Sequence, residues 1–139
     1  MTDNFSLLLS ELGKIIGLPL SPDKYNACSI LAPPLTVQLE LDTAQENLLF
    51  FTKIITLPPG RFLEDILCAA LKANGMPDPR PGIFGYIAMT NHLALYQTTP
   101  AALLDQENLA SLFGAFFALA ESWHKAIEQG KPGPLDENR

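Results

Sequence analysis

Residues 37–54 read VQLELDTAQENLLFFTKI, and this stretch decides the fold. In its first half, Val37, Leu39 and Leu41 alternate with polar residues, which predicts a strand with one buried and one solvent-facing side. After a polar turn the alternation is lost, because residues 48–51 are Leu-Leu-Phe-Phe. The stretch therefore predicts an antiparallel hairpin whose second strand is apolar on both sides, and something has to cover the second side.

The flanking sequence predicts the remaining elements. Apolar residues at helical spacing indicate a first helix, which Gly17 follows as the C′ residue. Apolar runs between Pro, Gly and Asn residues indicate the others. They are strands over about 27–32, 35–41, 48–57, 83–89 and 92–98, with a Thr90-Asn91 turn between the last two, a second helix over 62–73, and a last helix capped by Asp105. The order α-β-β-β-α-β-β-α predicts an α+β fold, an antiparallel sheet with flanking helices, and fits a doubly wound α/β fold less well.

Length and composition indicate one domain with surplus apolar surface. At 139 residues, the chain is expected to form a single α+β domain over 1–130, followed by a disordered Pro/Gly-rich tail over 131–139. Charged residues are 17% of the chain, below the usual value of about 25%, while the apolar fraction of 47% is ordinary. This balance predicts apolar surface that stays exposed or is covered by another chain.

The charge and the chain ends exclude several classes of protein. A net charge of −6 argues against binding to nucleic acid or to an anionic membrane surface, since the nine basic residues are scattered. The first residues lack the basic region of a signal peptide, and the apolar run at 109–120 is too short to span a bilayer. Cys28 and Cys68 are too few for a disulfide framework. We expect an acidic, soluble, cytoplasmic protein.

No constellation of residues predicts catalysis. His92 and His124 each lack a second His, Cys or carboxylate at the spacing that metal ligands need. Cys28 and Cys68 lie in apolar elements, where small buried side chains are the ordinary interpretation. Phosphate-binding glycine motifs are absent from the sequence. We therefore expect no enzyme, no metal and no cofactor.

Surface apolarity is the feature that remains to be explained. Leu7 widens the apolar face of the first helix, and the strand from Leu48 to Ile55 is apolar on both sides. Two interpretations stay open at this point. Helices cover both sides of the sheet, or one face or edge accepts another chain, with each buried Phe or Leu contributing about 1.5–3 kcal/mol.

Three stretches carry a resemblance to a known family. They are LLLSELGKIIGLPLS at 7–21, ILCAALKANG at 66–75, and LALYQTTPAALLDQENLASLFGAFFALAESWHKAI at 93–127. Together they resemble the class I chaperones of bacterial type III secretion, the Tir-chaperone family, over about residues 5–128. The residues that match its hydrophobic pattern are Leu67, Leu71, Asn74, Leu93, Leu95, Leu104 and Trp123. The proline-rich loop at 76–82 departs from that pattern and bears on where the fourth strand lies.

The resemblance implies a function and two surfaces. It implies a cytoplasmic homodimer without catalytic activity, which binds the N-terminal secretion segment of an effector protein in a largely unfolded form. Grooves near the first helix and the first three strands would receive the effector, for which the candidates are Leu7, Val37, Leu39, Leu49 and Phe51. The second helix and fourth strand would form the dimer, for which the candidates are Phe62, Ile66, Leu67, Ala70, Ile83 and Phe84. Core packing is the alternative for each residue. A dimeric adaptor that leaves its partner folded, and a small ligand-binding domain or enzyme, are the alternatives for the function.

Overall fold

The computed structural model describes residues 4–42, 44, 46–77 and 80–134. Over these residues the chain forms three α-helices and five strands in the predicted order, which confirms the α+β class. The elements are α1 (Asn4–Ile16), β1 (Ala27–Ala32), β2 (Leu35–Asp42), β3 (Asn47–Thr56), α2 (Arg61–Asn74), β4 (Ile83–Ile87), β5 (His92–Pro100), a short 3-10 turn (Ala101–Leu103) and α3 (Gln106–Glu128).

The five strands form one antiparallel sheet in the order β1-β2-β3-β5-β4. The two-sided apolar strand β3 is thus the central strand, and β1 and β4 are the edges. Its register with β2 pairs Leu39 with Phe50 and Glu40 with Leu49. Since side chains alternate along a strand, each apolar residue of β2 shares a side of the sheet with Phe50, and each polar residue shares a side with Leu49.

The three helices pack on the side of the sheet that carries Phe50. There Val37, Leu39 and Phe50 are at most 1% exposed. The rings of Phe50 and of Phe116 on α3 meet edge to face, with centroids 5.6 Å apart, a favourable aromatic arrangement. On the opposite side of the sheet the residues of β1 and β2 are exposed in alternation. The helices therefore leave that side of β1–β3 uncovered in the described chain.

The chain turns differ in one place from the prediction. The strand β4 ends at Ile87, and residues 88–91 form a four-residue turn to β5 in place of the predicted Thr90-Asn91 turn. Asn91 adopts a left-handed conformation with φ of 59°, which Asn tolerates better than most residues. Its side-chain amide donates a hydrogen bond to the Leu57 carbonyl oxygen at 2.6 Å. This bond fixes the turn against the end of β3 and ends the hairpin early.

The last helix begins where the sequence predicts. The Asp105 carboxylate accepts a hydrogen bond from the Asn108 N–H at 2.8 Å, which caps α3. Beyond α3, Gly133 lies against the Trp123 ring, where an added Cβ would be 3.1 Å from the ring atoms. Disorder over 131–139 stays a prediction, and 135–139 lie outside the described residues. No helix in the described part of the chain is long and apolar enough to cross a membrane.

Candidate interaction surfaces

The side of the sheet turned away from the helices is called here the open face. It is built of rows of cross-strand neighbours, which are Ala27, Glu40, Leu49 and Thr98; Ser29, Gln38, Phe51, Tyr96 and Ile83; and Leu31, Thr36, Lys53, Ala94 and Gly85. Leu49, Phe51 and Ile83 are half-buried, and Tyr96 is 40% exposed. These four residues form an apolar stripe over the middle of the open face. The second apolar side of β3 is thus on the surface of the chain.

Two clefts of opposite charge adjoin the stripe. The first, called here the acidic cleft, has a volume of about 410 Å³ and is lined by Tyr25, Asn26, Glu40, Leu41, Asp42, Asn47, Leu49 and Thr98. The second, called here the lysine cleft, has a volume of about 340 Å³ and is lined by Ser29, Pro34, Thr36, Gln38, Phe51 and Lys53. Each cleft therefore joins one apolar residue of β3 to charged and polar groups.

A third cleft lies between α2 and β4. This α2–β4 cleft has a volume of about 190 Å³, and its lining is mostly apolar: Leu67, Ala70, Leu71, Asn74, Phe84, Gly85, Tyr86 and Leu93. Leu71 is 70% exposed and Tyr86 is 42% exposed. At the nearby turn, Met89 is 96% exposed. The cleft and its rim thus form a second apolar surface, which begins on the helix side of the sheet.

The side chain of Asn74 fixes the α2–β4 cleft. Its amide nitrogen donates to the Phe84 carbonyl oxygen at 2.9 Å, and its amide oxygen accepts from the Phe84 N–H at 2.8 Å. One side chain thereby occupies both backbone groups that Phe84 directs away from β5. Arg80 donates to the Asn74 carbonyl oxygen, and Gln97 donates to the Arg80 carbonyl oxygen at 2.7 Å. The end of α2 is therefore tied to the outer edge of β4.

A fourth groove lies between α1 and the start of α3. This α1–α3 groove has a volume of about 240 Å³ and is lined by Leu7, Leu8, Glu11, Leu104, Asp105 and Gln106. Leu7 is 55% exposed at its rim, and Leu103 of the neighbouring 3-10 turn is 66% exposed. Exposed apolar side chains thus lie on both sides of this groove, on α1 and on the 3-10 turn before α3.

The structure separates the predicted effector contacts into two groups. Leu7 lies at the α1–α3 groove, and Leu49 and Phe51 lie on the open face. Val37 and Leu39 are completely buried beneath the helices, because they alternate with the polar residues that face solvent. These two side chains are core residues, and their placement argues against direct contact with another chain. A role in binding for the other three stays a prediction.

The predicted dimer contacts also divide. Leu67, Ala70 and Phe84 line the α2–β4 cleft. Phe84 is 7% exposed and packs on Trp123 with ring centroids 4.3 Å apart. Ile66 is fully buried, Phe62 is half-buried, and Ile83 belongs to the open face. The placement of Ile66 in the core argues against a contact with a second chain.

The sequence prediction missed the exposed members of the second surface, which are Leu71, Tyr86 and Met89. One signal was available for Leu71. It lies three residues after Cys68 and seven after Glu64, so all three share the exposed face of α2. A large apolar residue on that exposed face has no large apolar partner in its own helix. The exposure of Tyr86 and Met89 depends on where β4 ends, which the sequence did not define.

The titratable groups suspected of chemistry have structural partners. The His124 Nδ1–H donates to the Ile54 carbonyl oxygen at 2.8 Å, and the His92 ring hydrogen-bonds with the Thr56 and Thr90 hydroxyls at 3.1 and 2.8 Å. Burial raises the pKa of the Cys28 thiol, and the nearby Asp23 carboxylate adds to the rise. Within the described ranges, no cluster of three His, Cys, Asp or Glu side chains could hold a metal ion.

Comparison with known proteins identifies the architecture. The sequence model of the Tir chaperone protein (CesT) family matches residues 7–124. A chain of the ExsC-ExsE complex is 27% identical with a TM-score of 0.66, over 86% of this chain and 90% of that one. A chain of the HopA1-SchA chaperone-effector complex is 18% identical with a TM-score of 0.63, over 91% and 100%. The complex of the Yersinia pestis type III secretion chaperone SycH with a YscM2 fragment contains a chain that is 18% identical with a TM-score of 0.65, over 84% and 97%. The last two likenesses concern the fold alone. No curated protein sequence matches the chain.

Proposed function

Since the chain belongs to the Tir chaperone protein (CesT) family, we propose that it binds the N-terminal segment of a secreted effector and keeps that segment soluble and extended for export by type III secretion. The observation that carries this proposal is the open face, where the central strand presents Leu49 and Phe51 on a side that no described helix covers. The ExsC-ExsE and HopA1-SchA complexes, which have the same fold, each join two different proteins. That supports a second chain as the cover.

An extended effector segment suits the geometry of the apolar sites. The stripe on the open face and the α1–α3 groove are separate places on the surface, so a segment that contacts both cannot gather its apolar residues into one core of its own. Each site can bury apolar side chains worth about 1.5–3 kcal/mol apiece when burial is complete. The sum offsets the ordering entropy of the segment. Binding and release then need no chemical step.

The edges of the sheet differ in what they offer to such a segment. At β4, the Asn74 side chain already occupies the outward N–H and C=O groups of Phe84. The edge strand β1 pairs only with β2 in the sheet. Backbone groups on an unpaired edge form hydrogen bonds with an added strand. We therefore expect any strand that the effector contributes to pair with β1.

The α2–β4 cleft is the proposed dimer contact. Its exposed apolar residues Leu71 and Tyr86 flank the predicted candidates Leu67 and Ala70. Apolar surfaces of this kind are typical of the interfaces of permanent homodimers. We place the protein in the cytoplasm as a homodimer that acts by binding and not by catalysis, in keeping with its family.

The function is tested by capture of an effector from the native cytoplasm. The tagged chain is expected to co-purify with a secreted protein, and mass spectrometry after limited proteolysis should find only an N-terminal segment of that protein protected. Leu7→Asp should weaken capture, because it places a charge in the α1–α3 groove. Ile15→Asp is the matched control, since Ile15 is 61% exposed on the same helix and does not line the groove.

Two results would contradict this function. The first is that the tagged chain captures no secreted protein. A partner that stays whole and folded during proteolysis would favour the adaptor, which binds without unfolding.

A further inference from the structure

The apolar stripe on the open face runs along β3 through Leu49 and Phe51 and extends across the sheet to Tyr96 and Ile83. Its residues lie on β3, β5 and β4. The neighbouring positions on β2 are the polar Thr36, Gln38 and Glu40, and those on β1 are Ala27, the polar Ser29 and the exposed Leu31. A second copy packed face to face would need about 800 Å² on each partner. It would also bury those polar side chains without giving them partners, at a cost of about 1–3 kcal/mol each. An extended segment laid along β3 covers Leu49 and Phe51 and leaves those polar side chains in water.

Opposite charges that are available to a ligand lie at the two ends of the part of the stripe that runs along β3. Glu40 is exposed beside Leu49 in the acidic cleft, and Lys53 is exposed beyond Phe51 in the lysine cleft. Neither Glu40 nor Lys53 forms an ion pair with another described residue. The Asp42 carboxylate adds a second negative charge to the acidic cleft and accepts a hydrogen bond from the Ala44 N–H at 3.0 Å.

The side chain of Lys24 places a positive charge near the acidic cleft. The Lys24 ammonium lies 5.1 Å from the centroid of the Tyr25 ring, and Tyr25 forms one wall of the cleft. The Glu40 carboxylate lies in the lining of the cleft, whereas the Lys24 ammonium lies outside it. The Tyr25 ring already has the Lys24 ammonium over it, so a basic side chain that enters the cleft is held by contact with the Glu40 carboxylate.

The distance between the two charges matches an extended chain. Glu40 pairs with Leu49, and Leu49, Phe51 and Lys53 follow one another at alternate positions on one side of β3. Four residues of a strand span about 13 Å. A segment laid along β3 has the same rise, so its side chains at i, i+2 and i+4 come opposite Glu40, Phe51 and Lys53. A helix rises only about 1.5 Å per residue, so its residues i and i+4 lie about 6 Å apart and do not match this spacing.

We propose that the open face selects an extended effector segment that carries a basic, an apolar and an acidic residue at positions i, i+2 and i+4. The basic residue enters the acidic cleft, the apolar residue packs on Phe51 and Tyr96, and the acidic residue meets Lys53. This preference rests on the proposed function, because it specifies which segments the chaperone binds. Either chain direction satisfies it, since the contacts are made by side chains.

Three synthetic peptides of eleven residues test the preference. They share threonine-rich flanks and differ at the centre, which reads Arg-Thr-Ile-Thr-Glu, Arg-Thr-Ile-Thr-Arg or Glu-Thr-Ile-Thr-Glu. Each carries fluorescein and is titrated with the full chain by fluorescence anisotropy at low salt. The mixed-charge peptide should bind about three- to tenfold more tightly than either like-charge peptide, the ratio expected for one or two exposed ion pairs. About 0.5 M salt should abolish the difference.

Charge-reversal variants distinguish this proposal from non-specific binding of peptides to the apolar surface. Lys53→Glu makes both ends of the stripe acidic and should transfer the preference to the Arg/Arg peptide. Glu40→Lys makes the stripe more basic and should shift the preference toward the Glu/Glu peptide, with Asp42 limiting the gain. Both positions are exposed, so the variants should unfold at the same urea concentration as the unchanged chain.

The outcomes distinguish the preference from the function it rests on. Equal binding of the three peptides, no binding of any, or an unchanged order in the variants overturns the charge preference while effector capture from the cytoplasm stands. A lower molecular mass of Lys53→Glu in light scattering overturns it too, and assigns the open face to a second copy of the chain. Failure to capture any effector overturns the proposed function itself.

Discussion

Replacing Phe50 or Phe51 with Ala removes the same side chain from two adjacent positions of β3, on opposite sides of the sheet. Phe50 is 1% exposed and meets the Phe116 ring edge to face. Its loss leaves a cavity in the core, which costs about 3–5 kcal/mol of unfolding free energy. Phe51 is half-buried and lies opposite its cross-strand neighbour Tyr96 on the open face. Its loss should cost about 1–2 kcal/mol, from a cross-strand pair and partial burial.

Urea unfolding at one fixed chain concentration measures the difference. With a slope of about 2 kcal/mol per M, Phe50→Ala should lower the midpoint by about 2 M and Phe51→Ala by less than about 1 M. For binding to a captured effector segment, we expect the larger loss from Phe51→Ala and the smaller one from Phe50→Ala. Phe51→Ala should weaken binding about tenfold, since it removes about 1–1.5 kcal/mol of apolar contact. Folded Phe50→Ala should bind like the unchanged chain.

Either of two results would refute this reasoning. Equal losses of stability at the two positions would mean that both sides of β3 are covered in the folded protein. Unchanged effector binding by Phe51→Ala would mean that the open face is not where the effector binds. Phe50→Ala serves as the control for general destabilisation, because any loss of binding through unfolding would be larger there.

Three further predictions concern the interface, two glycines and a thiol. Leu71→Glu should convert a dimer of about twice 15.2 kDa into monomers in light scattering, because it charges the α2–β4 cleft; an unchanged mass would exclude the cleft as the interface. Gly114→Ala should raise the unfolding free energy by about 0.5–1 kcal/mol, since its Cβ meets open space in α3. Gly13→Ala should lower it by at least about 1–3 kcal/mol, because its Cβ would lie 2.3 Å from the Leu18 carbonyl oxygen. Equal effects of the two would contradict the packing. In a Cys68→Ser variant, burial and a raised pKa should keep Cys28 from reacting with a thiol reagent until urea unfolds the chain.

The elements were predictable because each has a strong local pattern. The strand β1 has the predicted bounds, and the other strands and α2 differ from prediction by one or two residues at most ends. Local patterns of period two and 3.6 suffice for this, since they record which residues share a side. They do not record which elements become neighbours. The insertion of β5 between β3 and β4 is a tertiary choice that no local pattern contains.

The side on which each residue lies was partly available from the sequence. Val37 and Leu39 alternate with Gln38 and Glu40, so their burial follows from the polar residues between them. For β3 the decision needed the register of the hairpin, because both of its sides are apolar. The pairing of Glu40 with Leu49 places Leu49 on the side of the polar residues. A prediction that first fixed the turn between β2 and β3, and with it the register, would have placed Leu49 on that side.

The α2–β4 cleft and the open face lie on opposite sides of the sheet, so occupation of the first affects binding at the second. The α2–β4 cleft is lined by Leu93 and Phe84, which point to the helix side of the sheet, whereas Leu49 and Phe51 point to the open face. A second chain seated on the cleft therefore leaves Leu49 and Phe51 uncovered, and a dimer presents two stripes. An effector segment long enough to reach both binds the second one at the high effective concentration that a tether gives. Formation of the proposed dimer should therefore strengthen effector binding without a new contact, and charging the cleft should weaken that binding although every residue of the open face is unchanged.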